Sequence, residues 1–338
     1  MLIRGARLLA GVFLLCLGAC ANTPQTRSLL DSTPGNLPRH TELTEVPFFA
    51  QEAFQCGPAS LAMVLNAAGI LVTPETLKPE LYLPDRQGSL QIEMLAASRR
   101  HGATAYQLAP ELNDMLREIA AGTPVIVLQN LALSWYPIWH YAVAIGYDLD
   151  RAEIILRSGP EQRQILPMST FEYTWARSGY WAMVALPPGK IPETAEETPF
   201  ISALSALEKT SDPGRAQIAY IAALNRWPGN LSAQIGIGNT AYRLNNLAQA
   251  EAAFRQAAQD HPDSVAAFNN LAQTLSDQTR YEEAMEAARR AVSLGGPLLQ
   301  TAQETLADIE HKMTRANTPA ILPPASPMSG TIRVHRWQ

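Results

Sequence analysis

Gln51-Glu-Ala-Phe-Gln-Cys56-Gly-Pro-Ala-Ser-Leu-Ala-Met63 begins as a loop and ends as an apolar helix, with a thiol where the two meet. Leu61, Val64, Leu65 and Ala68 recur at helical spacing, and Gly69 supplies the stop. The other two cysteines, Cys16 and Cys20, fall within the first twenty residues, which leaves Cys56 as the only thiol of the folded chain. A helix start carries partial positive charge that favours a thiolate. Cys56 is therefore a candidate nucleophile, against the plainer reading of a small buried hydrophobe.

The leader sets the compartment. Arg4 and Arg7 precede an apolar run from Leu8 to Leu17 that is too short to span a bilayer, which takes roughly 20 residues. Leu17-Gly18-Ala19-Cys20 resembles the lipobox of bacterial lipoproteins, so residues 1–19 read as a signal peptide and Cys20 as the acylated residue. By the same resemblance, Ala21 in place of aspartate implies an outer-membrane anchor facing the periplasm. That compartment is oxidising, and an unpaired cysteine there stands out as a free thiol.

Removing Arg4 and Arg7 takes the formal net charge from −5 to −7, and no basic run suits nucleic acid. Residues 20–42, rich in Thr, Ser, Pro and Asn, are expected to form a flexible tether. The proline-broken stretch 189–198 is expected to be a linker, and residues 314–338 a disordered tail. Between tether and linker, residues 43–188 begin with helices: one after Cys56, a second over 89–100, a third over 110–121. Strands follow at 124–129, at 141–147 turning into 152–156, and at 180–186. Helices first and antiparallel strands later make an α+β domain.

Residues 199–313 carry a period of 34: Ala216, Ala250 and Ala284 share one phase, Ala223, Ala257 and Ala291 another, and Tyr220, Phe254 and Ala288 a third. Pro228 and Pro262 end two units, and Gly238 takes a small-residue slot. The pattern resembles tetratricopeptide repeats, an all-α solenoid in which helices approach over small residues. Three repeats with a capping helix from about Pro297 to Met313 are expected, offering a face for a peptide or protein partner.

A cysteine nucleophile needs a base and oxyanion donors. Of the six histidines, only His140 begins a strand in the domain that holds the thiol. Gln51, Cys56-Gly57-Pro58-Ala59 and His140-Tyr-Ala-Val-Ala-Ile-Gly146-Tyr-Asp148 together resemble the bacteriocin-processing, double-glycine leader peptidases, which are papain-like in fold. The resemblance spans about Pro47 to Leu186. It implies Cys56 as nucleophile, His140 as general base and acid, and Gln51 as oxyanion donor, with Gln55 a rival for that last role.

Family members place an Asp-Pro pair after the next strand, and here Ser158-Gly159-Pro160 stands instead. Ser158 and Asp148 are the candidates to orient His140, with a Cys-His dyad as the third option. The insertion from Gln162 to Trp175, with Arg163 and Arg177, is a further candidate for rebuilding the site. No metal motif or glycine-rich phosphate loop occurs, so neither a metal nor a nucleotide cofactor is expected. The functional reading is a cysteine peptidase acting on a peptide or protein. Its alternatives are a catalytically impaired binding scaffold and a thiol-dependent acyl or amide transferase.

Overall fold

An antiparallel sheet covered on both faces organises the first part of the chain. The computed structural model describes residues 23–32, 34, 35, 37–51 and 55–317. The leader, Cys20 and the tail from 318 onward lie outside the described residues. Contacts divide the chain into Met1–Asn246 and Leu247–Gln338.

In the first unit the strands are β1 (His40–Glu42), β2 (Thr104–Gln107), β3 (Val125–Asn130), β4 (Trp139–Asp148), β5 (Glu153–Ser158), β6 (Glu161–Pro167) and β7 (Ala182–Leu186). They run in the order β2-β7-β3-β4-β5-β6, with β1 paired to the far end of β4. Alternate residues of β3 and β4 enter two separate cores. Val125, Val127, Ala142 and Ala144 face one, and Ile126, Leu128, Tyr141, Val143 and Ile145 the other. Burial on both faces explains why these strands read as unbroken apolar runs rather than as alternation.

The helix after the thiol, α2 (Cys56–Ala67), packs in the second core with α3 (Pro74–Leu81) and α4 (Gln91–Arg100). The first core takes α1 (Pro24–Asp31), α5 (Leu112–Ala120) and α6 (Met168–Ala176). Sequence patterning did not reveal α1, α3, β1, β2, β6 or α6. Pro79 lies inside α3, whose start is capped by Thr73, and the remaining elements are nine residues or fewer.

The expected tether is overturned where it is described. Glu172, fully buried, accepts from the backbone N–H of Gln25 at 3.0 Å and of Thr26 at 2.6 Å. A buried carboxylate thus holds the start of α1 and takes up helix donors that have no partner of their own. Residues His40–Glu42 pair with Gly146–Asp148 of β4. At Gly146 a Cβ would stand 2.6 Å from the Thr41 carbonyl oxygen, so the side chain must be absent for β1 to approach.

The expected linker does not divide the packing either. Buried Glu118 accepts from the N–H of Glu193 and from the N–H and hydroxyl of Thr194. Then α7 (Glu197–Thr210), α8 (Pro213–Arg226) and α9 (Leu231–Arg243) follow. Phe200, Leu204, Leu207, Tyr220 and Ala223 belong to the same core as the sheet. Phe200 of α7 packs against Tyr106 of β2, the strand at one edge of the sheet, and the first unit continues to Asn246. Gly236 admits the Tyr220 ring, where a Cβ would meet it at 2.4 Å; Gly238 is also buried.

The second unit contains α10 (Leu247–Asp260), α11 (Val265–Asp277), α12 (Tyr281–Leu294) and α13 (Leu299–Asn317). Ala250, Phe254 and Ala257 are buried on α10, and Ala284, Ala288 and Ala291 on α12, so the periodic slots are its packing surface. Arg280 bridges Glu251 and Glu283, tying α10 to α12. No described helix is long and apolar enough to cross a membrane.

Candidate active site

Cys56 is the first residue of α2, preceded by Gln55, whose side chain makes no cap to the helix. The Cys56 sulfur faces the backbone N–H groups of Tyr141, Gly57 and Cys56 itself, which favour the thiolate. Burial outweighs them and pushes the thiol above its ordinary range. The sequence reading, in which helix placement alone activates the thiol, is therefore reversed: the sulfur lies in a desolvated pocket, and desolvation penalises its charged form.

Gly57 has its own reason. A Cβ there would lie 2.3 Å from Ser89 Oγ and 2.7 Å from Ser89 Cβ, so the segment before α4 crosses the start of α2 at a spacing only glycine permits. Ser89 takes part in the wall this creates: its carbonyl accepts from the Tyr141 hydroxyl, and its own hydroxyl has no partner.

His140 enters β4 opposite Gln129 of β3, one residue before the Tyr141 N–H that faces the thiol. Its Nε2 lies 2.9 Å from Ser158 Oγ. Burial pushes the imidazole below its ordinary value. Of the two candidate orienters, the structure brings Ser158 to the ring. Asp148 is committed elsewhere, accepting from the N–H groups of Asp150 and Arg151 and lying 3.7 Å from His40.

Gln51 joins the thiol loop to the histidine side of the site. Its backbone N–H donates to the Gly159 carbonyl, and its Oε1 accepts from the Gly159 N–H, both at 3.0 Å. That second bond fixes which end of the amide is which. Nε2 then points to Ser60 Oγ at 3.2 Å and the Tyr141 carbonyl at 3.3 Å. Gly159, standing where the family pattern has aspartate, adopts φ +58° and presents its backbone to Gln51.

Cys56, His140, Gln51 and Gly159 line one cleft of 1150 Å³. Arg86 to Gln91 form one wall, and Tyr136 to Trp139 another. The insertion from Gln162 to Trp175 contributes little to it: most of it becomes β6 and α6, and Arg163 binds Glu42 outside the cleft. Arg177 does line the cleft.

Residues 43–183 match the family model described as Peptidase_C39 like family, and residues 235–297 match that of the tetratricopeptide repeat. Among solved structures the chain is similar to one described as a C39-like peptidase from Bacillus anthracis, at 20% identity and TM-score 0.38, over 46% of this chain and 100% of that one. It is also similar to the tetratricopeptide domain of Arabidopsis OM64, at 20% identity and TM-score 0.29, over 31% of this chain and 88% of that one. No curated protein matches. The two matches make residues 43–183 similar to the C39-like peptidases and residues 235–297 similar to tetratricopeptide repeats.

Proposed function

We propose that the chain is a lipid-anchored cysteine peptidase of the bacterial envelope, cutting a peptide or protein in the cleft at Cys56 while its repeats recruit substrate or a partner. The observation that carries this reading is the convergence of Cys56 and His140 on one cleft, with the Tyr141 N–H facing the sulfur. Anchoring follows from the lipobox at Cys20, and Ala21 favours the periplasmic face of the outer membrane.

With Nε2 bonded to the Ser158 hydroxyl, Nδ1 is the ring nitrogen left to take the thiol proton. Burial keeps the resting pair neutral, so proton transfer accompanies attack instead of preceding it as a stored ion pair. The sulfur adds to the carbonyl, and the imidazolium returns the proton to the leaving amine. Water, deprotonated by the same ring, then releases the acyl group and restores the thiol. The oxyanion would be met by N–H groups at the start of α2 and by Gln51 Nε2, which must give up a bond to Ser60 or Tyr141. Cleavage after small residues, glycine among them, is the specificity the family resemblance implies.

One observation favours a second reading. His140 is held by a hydroxyl and not by a carboxylate, which leaves an imidazolium without a stabilising charge. Slow acyl transfer, or binding without turnover, would follow from that. Labelling with a peptidyl chloromethyl ketone, tracked by mass to Cys56, together with hydrolysis of a peptide library by the full chain, separates the two. Labelling and hydrolysis that both vanish in Cys56→Ala and His140→Ala are expected. Hydrolysis that survives Cys56→Ala would defeat the peptidase reading, and labelling without hydrolysis would favour the second.

A further inference from the structure

The segment from Leu131 to Ile138, between β3 and His140, is apolar, exposed and rigidly built. Trp135 is 80% exposed and Tyr136 67%, with Leu131, Leu133, Ile138 and Trp139 at least half exposed. Asn130, buried at its base, accepts from the N–H groups of Ala132 and Ile138 and donates to the Leu133 carbonyl. Arg177, at the end of α6, clamps it through the carbonyls of Asn130 and Ala132. A loop held this firmly does not turn its aromatic side chains outward through disorder. Exposed apolar surface of this extent marks a partner.

Two observations identify the partner. First, no Asp, Glu, Lys or Arg occurs from Ile119 to Tyr147, so the exposed tip offers tryptophan, tyrosine and leucine with no charge. That is the composition that settles at the boundary between headgroups and acyl chains. Leu133 and Trp135 also lie outside the lining of the cleft, so a substrate in the cleft does not cover them.

The second observation is where the described chain begins. Cys20 stands three residues before Thr23, a reach of roughly 10 Å when extended. The start of α1 is bonded to Glu172 on α6. Arg177, which clamps the loop, follows Glu172 by five residues, about 8 Å along a helix. The start of α1 and the loop thus share α6.

The geometry points to the loop Leu131–Ile138 as a membrane-docking element that seats the cleft mouth on a lipid surface. This rests on the proposed anchoring for direction, and it deepens the functional reading by restricting substrates to chains whose scissile segment lies close to a bilayer. The element has no charge of its own, so its binding is apolar and insensitive to salt.

The test uses the mature chain with Cys20→Ala, which removes the acylation point, sedimented with phosphatidylcholine vesicles. The protein is expected to partition onto them equally at low salt and in molar salt. Leu133→Ser with Trp135→Ser should lower the partition coefficient about tenfold or more, since each removes an exposed apolar side chain from the lipid contact, without moving the unfolding midpoint. Cys56→Ala should bind as the parent does, which keeps this result independent of whether the site is catalytic. Protein that remains in the supernatant, or a double variant that partitions unchanged, overturns the proposal. So does a double variant that raises KM for soluble peptides when the parent ignores vesicles, because the loop would then be a peptide surface.

Discussion

His140 Nε2 and Ser158 Oγ lie 2.9 Å apart, which puts a neutral hydroxyl where a carboxylate would stabilise an imidazolium. Burial also pushes the Cys56 thiol up and the His140 imidazole down, so each is favoured in its neutral form. Carboxamidomethylation of Cys56 should therefore rise with pH along a curve whose midpoint lies above the free-cysteine value of about 8.5.

Ser158→Asp should shift that curve down by roughly one to three pH units, the effect expected of a carboxylate within bonding reach of a histidine. The sign follows from charge: a raised imidazole pKa places a cation beside the sulfur, and the cation favours thiolate. Identical curves for parent and variant would mean that Ser158 does not act on His140 in solution.

Gln51→Ala should reduce kcat by roughly 10² to 10³, the usual cost of one oxyanion donor. The alkylation curve should stay where it was, because the groups facing the sulfur are backbone N–H groups and not this amide. A parallel loss of both would assign Gln51 to holding the loop against Gly159 and to nothing more.

Truncation tests the extent of the first unit. A chain ending at Asn246 should be soluble and melt cooperatively. A chain ending at Ala195 should aggregate, since it exposes the surface covered by Phe200, Leu204 and Leu207, each worth about 2 kcal/mol when fully buried. Equal melting points for the two would place the boundary in residues 189–198 after all.

Gly146→Ala should destabilise the domain by about 1 to 3 kcal/mol in urea titration. The new methyl meets the Thr41 carbonyl and the Glu42 Cα, both backbone, so relief requires β1 to separate from β4. An unchanged midpoint would mean that the pairing of β1 is not needed for stability.

The α+β order was legible because it rests on local signals, helical spacing after Cys56 and an apolar strand after His140, and Cys56 and His140 line one cleft. Repeat slots were legible for the same reason, since Ala250 and Ala284 recur at a fixed phase and are buried in it. What escaped depends on contacts distant in sequence. Glu118 looks like a surface residue of an amphipathic helix, and Glu172 like one more polar residue of an insertion, until the backbone donors they accept from, 75 and 146 residues away, arrive beside them. Composition made residues 20–42 look loose, because the polar residues that resemble a tether include the Gln25 that bonds to Pro110. The direction of the thiol shift escaped as well, since a helix start is visible in sequence and the depth of its pocket is not.

The bond from Thr26 to Glu172 spans 146 residues, so the earliest described helix is secured by an element far along the chain of its own unit. In a chain delivered amino end first, α1 emerges with no acceptor for its leading donors and must wait while everything up to α6 is produced. Closure of so long a loop is slow compared with hairpin formation. Until α6 is in place only water can meet those donors, so ordering of α1 and completion of the sheet domain become successive events in time.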